Sequence, residues 1–507
     1  MASFETIQHS HPLLGTLHGR ELSNGVVQFR GIPFARIPER FRQSILADEL
    51  SLEEKDCTEY SFVCPQQAEE HGAFGGKLPD DVDYRHDELR CLTLTVSAPK
   101  RALLVSSEND NIPVMVYVHG GGFARGANVG GVNDSARIVA LARDEGTPVI
   151  VVNIQYDRQT SLEFFDSDFN LDLIDDAEKH AEPPCNFGLF DQRMGFRWVK
   201  KYISGFGGNA AQITAFGESA GSSSLTYHMC SDEPLFNRAI LQSGFPSTIS
   251  AGQSLSAKDA QYIKLLEFCG IDPNDPARLS KLRYDVAAEK LIDAITALNP
   301  FAFTPLDHKT FFPEMPNLAN EGKILAKCDW VDSVIIGDAF YEGFIFAHAL
   351  KLVPCQLFVA YMHEHFGDDT AIQVLEAYGI QPKMDENLFW NRLTYLVGDA
   401  MFSMPCHLIA DTIARESSKK VFRHNVMLRN PFLGSPLYQV QGHHFVELAY
   451  VFMTFLERFP TELDCDTSKE FARRWIAFSY QKEPWGEYGD RGSIAIVDSH
   501  SGWRITE

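Results

Sequence analysis

A mostly parallel β-sheet covered by helices is the fold class that the sequence predicts, on three observations. Short, continuously apolar runs such as "IPVMVYV" from Ile112 and "PVIVV" from Pro148 have the length and composition of strands buried on both faces. Amphipathic helix patterns stand between such runs. Strand, helix and strand therefore alternate, the order that parallel pairing needs because its crossovers take a dozen or more residues. Two long stretches, Leu255 to about Asn317 and Ala347 to about Lys419, are mainly helical and carry no further strand. A single core stops growing near roughly 300 residues, so in a chain of 507 these stretches are expected as excursions over the sheet, within one domain spanning 1–507.

Each element follows in order. Near the N-terminus, "LLGTLHGRELSNGVVQFRGIPFARIPERF" alternates apolar and polar residues around "SNG", which predicts a hairpin and then an irregular, proline-containing segment. The strand from Ile112 ends in three glycines. "NDSARIVALARDEG" fits an amphipathic helix with Asn133 or Asp134 near its start and Gly146 after its end, and "TPVIVVNIQY" from Thr147 is the next strand. The pattern recurs with "DQRMGFRWVKKYISGFGG" as a helix, "AAQITAFG" as a strand, and "FNRAILQSG" and "WVDSVIIGD" as further strands.

Composition narrows the function. The formal charge of -23 argues against a nucleic-acid partner, because phosphate neutralisation needs clustered Lys and Arg. No apolar run approaches the roughly 20 residues of a membrane span. The start "MASFETIQHSHPLLG" lacks the basic and apolar regions of a signal peptide, so a cytoplasmic location is expected. The ten cysteines have no metal-binding spacing and are expected as buried thiols, with no metal.

Chemistry enters at "QITAFGESAGSSSL", Gln212 to Leu225, where a strand pattern runs into Gly217-Glu218-Ser219-Ala220-Gly221. A serine in so sharp a strand-to-helix turn has a strained backbone. Side chains two positions before and after it would collide, which accounts for Gly217 and Gly221. The turn lifts the hydroxyl above the sheet edge at a helix N-terminus, where N–H groups can hold a developing anion. Such a motif alone arises by chance in many proteins. Upstream, however, "VHGGGF", His119 to Phe123, stands directly after a strand. Consecutive glycines let backbone N–H groups approach a substrate oxygen, the arrangement of an oxyanion hole; a flexible turn is the bland alternative.

These motifs resemble the type-B carboxylesterases, which include the cholinesterases, within the α/β-hydrolase fold. The resemblance is spread over nearly the whole chain, through "FRGIPFARIP", "CPQ" at Cys64, "ELRCLTLTV" around Cys91, "HGGGF", "NFGLFDQRMGFRWVKKYISGFGGN", "ITAFGESAG", "RAILQSG", "GDAFYEG" and "GHHFVELAYVF". It implies Ser219 as nucleophile and the N–H groups of Gly121, Gly122 and Ala220 as oxyanion donors. It implies Glu342, in "IIGDAFYEGF", as the acid, with Asp338 the nearest alternative. The base precedes x-x-Glu-Leu, so "HHFVEL" selects His444, and His443 is expected to pack or hydrogen-bond at the rim. Without the resemblance, any of the seventeen histidines could be argued. Glu218 and Glu447 are expected to serve the scaffold through hydrogen bonds to loop amides. Cys64 and Cys91 match a disulfide-bonded pair of secreted relatives and are expected to lie close together, bridged or not.

Departures matter too. Where cholinesterases carry a choline-binding tryptophan, this chain has Asp81, so the cation–π platform for choline is missing. The segment "IQYDRQ" is followed by the acidic insert "DSDFNLDLIDDAEKHAE", expected as a solvated loop or else as a segment that shapes the rim of the site. The resemblance implies a serine carboxylesterase that forms an acyl-enzyme on Ser219, acts on small-molecule esters with an apolar acyl or alcohol part, and uses no cofactor. Acyl transfer or lactone chemistry needs the same residues. A non-catalytic binding protein of this fold is the remaining alternative, disfavoured because Ser219, Glu342 and His444 are all present.

Overall fold

The computed structural model of the chain describes residues 4–67, 71–78, 81–104, 112–156, 185–248, 255–298, 305, 311–489 and 492–506. The acidic insert after Tyr156 lies outside them. Its strands are β1 (Glu5–His11), β2 (Gly15–Glu21), β3 (Val26–Pro33), β4 (Ala35–Arg36), β5 (Ile45–Leu46), β6 (Thr93–Pro99), β7 (Ile112–Val118), β8 (Ile150–Ile154), β9 (Gly208–Glu218), β10 (Arg238–Gln242), β11 (Ser333–Ala339), β12 (Lys420–Met427), β13 (Ile494–Asp498) and β14 (Gly502–Thr506). β4 and β5 form a small ribbon, and the other twelve form one sheet in the order β1-β2-β3-β6-β8-β7-β9-β10-β11-β12-β13-β14. The run from β8 to β13 is parallel throughout. Antiparallel pairs flank it on both sides. This is the α/β-hydrolase architecture expected, with the "SNG" hairpin as β2 and β3.

The central strands are apolar without interruption because both faces are covered. In β7, Val114, Val116 and Val118 join one core while Met115 and Tyr117 join the other; Val334 and Ile336 of β11 divide from Ile335 in the same way. The helices Phe187–Tyr202, Ala220–Met229 and Met404–Glu416 bury Trp198, Leu225 and Ile409 on the first face. Ala136–Asp144 and Glu462–Ser479 bury Val139 and Trp475 on the second. Each fully buried Val, Ile or Leu adds roughly 1.5–3 kcal/mol. The helix Ala136–Asp144 starts as expected, with Asp134 Oδ1 accepting the Ala136 N–H at 2.8 Å, and ends before Gly146 at φ 75°.

Of the two helical stretches, the first packs Leu265, Leu266 and Leu291 onto the core of the sheet's first face, and the second returns to that face with the helix Met404–Glu416. The first contains helices Leu255–Cys269, Arg278–Tyr284 and Ala288–Leu298. The second builds a small core of its own from Val359, Met362, Leu375, Phe389 and Leu393. Among the described residues no single helix is long and apolar enough to cross a membrane. The carboxyl ends of β7, β9, β11 and β12 all lead toward one edge of the sheet, and open α/β sheets hold their ligands at that edge.

Candidate active site

Ser219 stands between β9 and the helix Ala220–Met229, at φ 57°. A non-glycine residue at positive φ is held there by its surroundings. Three close approaches hold it. A Cβ on Gly217 would come 2.7 Å from the Gly221 carbonyl carbon, and one on Gly221 would come 2.1 Å from the Val118 carbonyl oxygen. Both glycines of the motif are therefore required, as expected. The third approach is not in the motif: a Cβ on Gly244 would meet the Ser219 carbonyl oxygen at 2.1 Å. The Ser219 N–H donates to the Gln242 carbonyl at 2.8 Å, so β10 fixes the turn from the side.

The triple glycine runs close past this turn. A Cβ on Gly120 would lie 3.1 Å from Ser219 Cβ. Gly121 has φ 106° and a Cβ there would strike the Arg125 carbonyl oxygen at 2.0 Å, while Gly122 has φ 62°. The N–H groups of Gly121 and Gly122 have no acceptor among the described residues, and that of Ala220 opens a helix, where the first amides are orphans.

Glu342 follows β11 and is 1 % exposed. Its Oε1 accepts the Ala339 N–H at 2.6 Å, and its Oε2 is 2.5 Å from His444 Nδ1. Tyr341 and His443 form a parallel β-bridge, with the Tyr341 N–H donating to the Gly442 carbonyl at 2.6 Å. That bridge brings the two loops together. The ring of Phe402 lies 4.9 Å from the His444 ring. Phe402 belongs to a π-helical turn, Asp399–Ser403, wedged between two α-helices.

Several expectations are corrected. His443 is not at a rim. It is fully buried, with Nδ1 2.6 Å from the His444 carbonyl and Nε2 3.0 Å from Asn430 Nδ2, and burial lowers its pKa to about 4. Asp338 does not face the histidine; it receives Arg423 at 2.9 Å and Asn425 at 3.0 Å. Glu218 is not bound to loop amides as expected. Its Oε1 lies 3.1 Å from His444 Nε2, without the alignment of a hydrogen bond, and both atoms lack any other partner among the described residues. Glu447 accepts from Gln242 Nε2 at 3.2 Å, the residue whose carbonyl holds Ser219. A glutamate directly before the elbow serine was the only signal available for Glu218.

Electrostatics follow from three carboxylates and one imidazole out of water. Burial pushes the carboxyls of Glu218 and Glu447 up, and their like charges add to it. Burial alone would push His444 down, yet Glu218 and then Glu342 outweigh it and raise its pKa to about 9. The thiols of Cys64 and Cys91 are both buried and 3.2 Å apart. Among the described residues no group of three or more His, Cys, Asp or Glu could hold a metal.

The model of the carboxylesterase family matches residues 6–495. Lipase 3 of Yarrowia lipolytica is 28% identical over 488 residues, covering 93% of this chain and 88% of the relative. Para-nitrobenzyl esterase of Bacillus subtilis is 29% identical over 501 residues, covering 94% and 91%. In fold, the chain is similar to a thermophilic PNB esterase structure, with a TM-score of 0.74, 24% identity and coverage of 98% and 97%.

Proposed function

Because the chain belongs to the carboxylesterase family and is a serine ester hydrolase acting on small-molecule esters, we propose that Ser219, His444 and Glu342 are its catalytic triad. The observation that carries this reading is the buried Glu342–His444 pair, with Oε2 2.5 Å from Nδ1; Nε2 of the ring lies 3.1 Å from a carboxylate oxygen of Glu218, the residue preceding Ser219. In this reading Ser219 Oγ attacks the ester carbonyl carbon while its proton passes to His444 Nε2. Glu342 keeps the other nitrogen, Nδ1, protonated and stabilises the imidazolium. The carbonyl oxygen becomes an oxyanion held by the N–H groups of Gly121, Gly122 and Ala220. Collapse expels the alcohol, which takes the proton from Nε2 and leaves an acyl-enzyme. Water then repeats the sequence against the acyl group.

Each oxyanion donor contributes roughly 10²- to 10³-fold. The rings of Phe402 and Phe445, 4.9 and 6.0 Å from the His444 ring, support an apolar acyl or alcohol part in the substrate. Ser219→Ala tests the reading: kcat for a simple ester should fall by on the order of 10⁶ while the fold is kept. Comparable turnover by the variant would refute it.

A further inference from the structure

We propose that Arg125 receives a free carboxylate on the substrate, so that half-esters of short dicarboxylic acids, with an apolar alcohol part, are the preferred class; this rests on the ester-hydrolase reading above. Arg125 lies just beyond the triple glycine, and its backbone is pinned on both sides. Its own N–H donates to the Gly121 carbonyl at 3.0 Å. The next residue, Gly126, exchanges two hydrogen bonds with the Gln66 amide: its N–H donates to Oε1 at 2.8 Å and its carbonyl accepts from Nε2 at 3.0 Å.

The side chain starts against the glycine that is proposed to hold the oxyanion. A Cβ on Gly121 would lie 3.1 Å from Arg125 Cγ. Three further bonds reach the guanidinium carbon, so by covalent lengths the charge stands within roughly 9 Å of the Gly121 Cα. That is about one Debye length at 0.1 M salt, close enough to act on a group attached to a bound acyl chain. The chain bears 68 acidic and 45 basic residues, and other arginines find carboxylates: Arg36 with Glu54, Arg40 with Glu88, Arg197 with Glu233. Arg125 is exposed and, among the described residues, makes no ion pair and no ring contact.

Around it Gln66, Gln67, Ala124, Ile292 and Thr296 line a shallow depression with about 20 Å³ of free volume. A space that holds about one water cannot enclose a ligand. Recognition there is by the charge at the rim. A carboxylate suits a guanidinium because two parallel N–H donors match its two oxygens. The formal charge of -23 repels anions over the molecule as a whole, so a fixed cation beside the oxyanion loop would decide whether an anionic ester is accepted.

The test compares mono-para-nitrophenyl glutarate with para-nitrophenyl pentanoate, esters of equal chain length, at about 0.15 M salt, where distant charges are screened. The ratio of kcat/KM for the two is independent of the folded fraction in any preparation. It should fall at least roughly threefold in Arg125→Gln, within the range of an exposed ion pair, and further in Arg125→Glu. A ratio unchanged across Arg, Gln and Glu overturns the proposal and leaves the esterase reading standing. A wild-type protein that hydrolyses neither ester overturns both.

Discussion

In the proposed mechanism one imidazole, that of His444, carries the proton traffic, and its surroundings set the pH at which it can do so. His444 must be neutral to take the serine proton, so kcat/KM should fall as pH drops through its pKa. Glu218 and Glu342 raise that pKa toward about 9 against the lowering effect of burial, which places the acid limb above the ordinary value of 6.5. Glu218→Gln removes the largest single charge attraction on the ring, and the limb should move to lower pH; a kcat/KM profile with an unmoved limb would contradict this role. His444→Ala should abolish most ester hydrolysis, whereas His443→Ala should retain it in the folded fraction, because the His443 ring is engaged with Asn430 and the His444 carbonyl. Loss in the second with retention in the first would reverse the assignment. His444 was legible in the sequence only through its family spacing to "VEL". Glu218 was misjudged, since a contact across 226 positions leaves no local pattern in the chain, whereas the elbow glycines three residues apart from it or less do.

At the scale of elements, the turn at Ser219 is built from backbone approaches, and glycine substitution tests it. Gly221→Ala would drive a Cβ to 2.1 Å from the Val118 carbonyl oxygen, which neither β7 nor the helix can relieve without moving. It should cost roughly 1–3 kcal/mol or more in urea unfolding, the range for overpacked sites, and depress activity with it. Gly146→Ala is the control. Its Cβ would meet nothing within 4 Å, so only the left-handed backbone at φ 75° is penalised, about 1–2 kcal/mol, with activity kept. If both variants are equally active and equally stable, the close approach to β7 does not shape the turn. Strand-to-helix alternation and the elbow were legible because burial on both faces and tight turns restrict residue types directly. Gly244 and the π-helical turn holding Phe402 were not, because each answers to a partner brought near only by the assembled sheet. β12, β13 and β14 also went unread: Arg423, His424 and Asn425 interrupt the apolar run of β12, and His424 fits beneath Gly337 only because that glycine has no Cβ.

Across the whole molecule, the sheet order brings the ends of β7, β9, β11 and β12 to one edge, and Cys64 and Cys91, far apart in sequence, meet through their thiols. The two thiols in contact should form a bridge under oxidising conditions, closing a loop whose chain-entropy contribution is roughly 3 to 4 kcal/mol. Urea unfolding with and without reductant, with peptide mapping of the bridge, checks this; identical midpoints for bridged and reduced protein would contradict it. The parallel sheet and the helical excursions were legible from periodicity. The surroundings of His444 were not, since Phe402 reaches it from a helical excursion whose packing no local pattern specifies. The most direct measurement of the central claim is mass spectrometry after treatment with a fluorophosphonate ester. One adduct per chain, carried by the peptide containing Ser219, blocking ester hydrolysis and absent in Ser219→Ala, is the predicted result. Full inhibition with the adduct on another residue, or hydrolysis that persists after Ser219 is fully labelled, would contradict it.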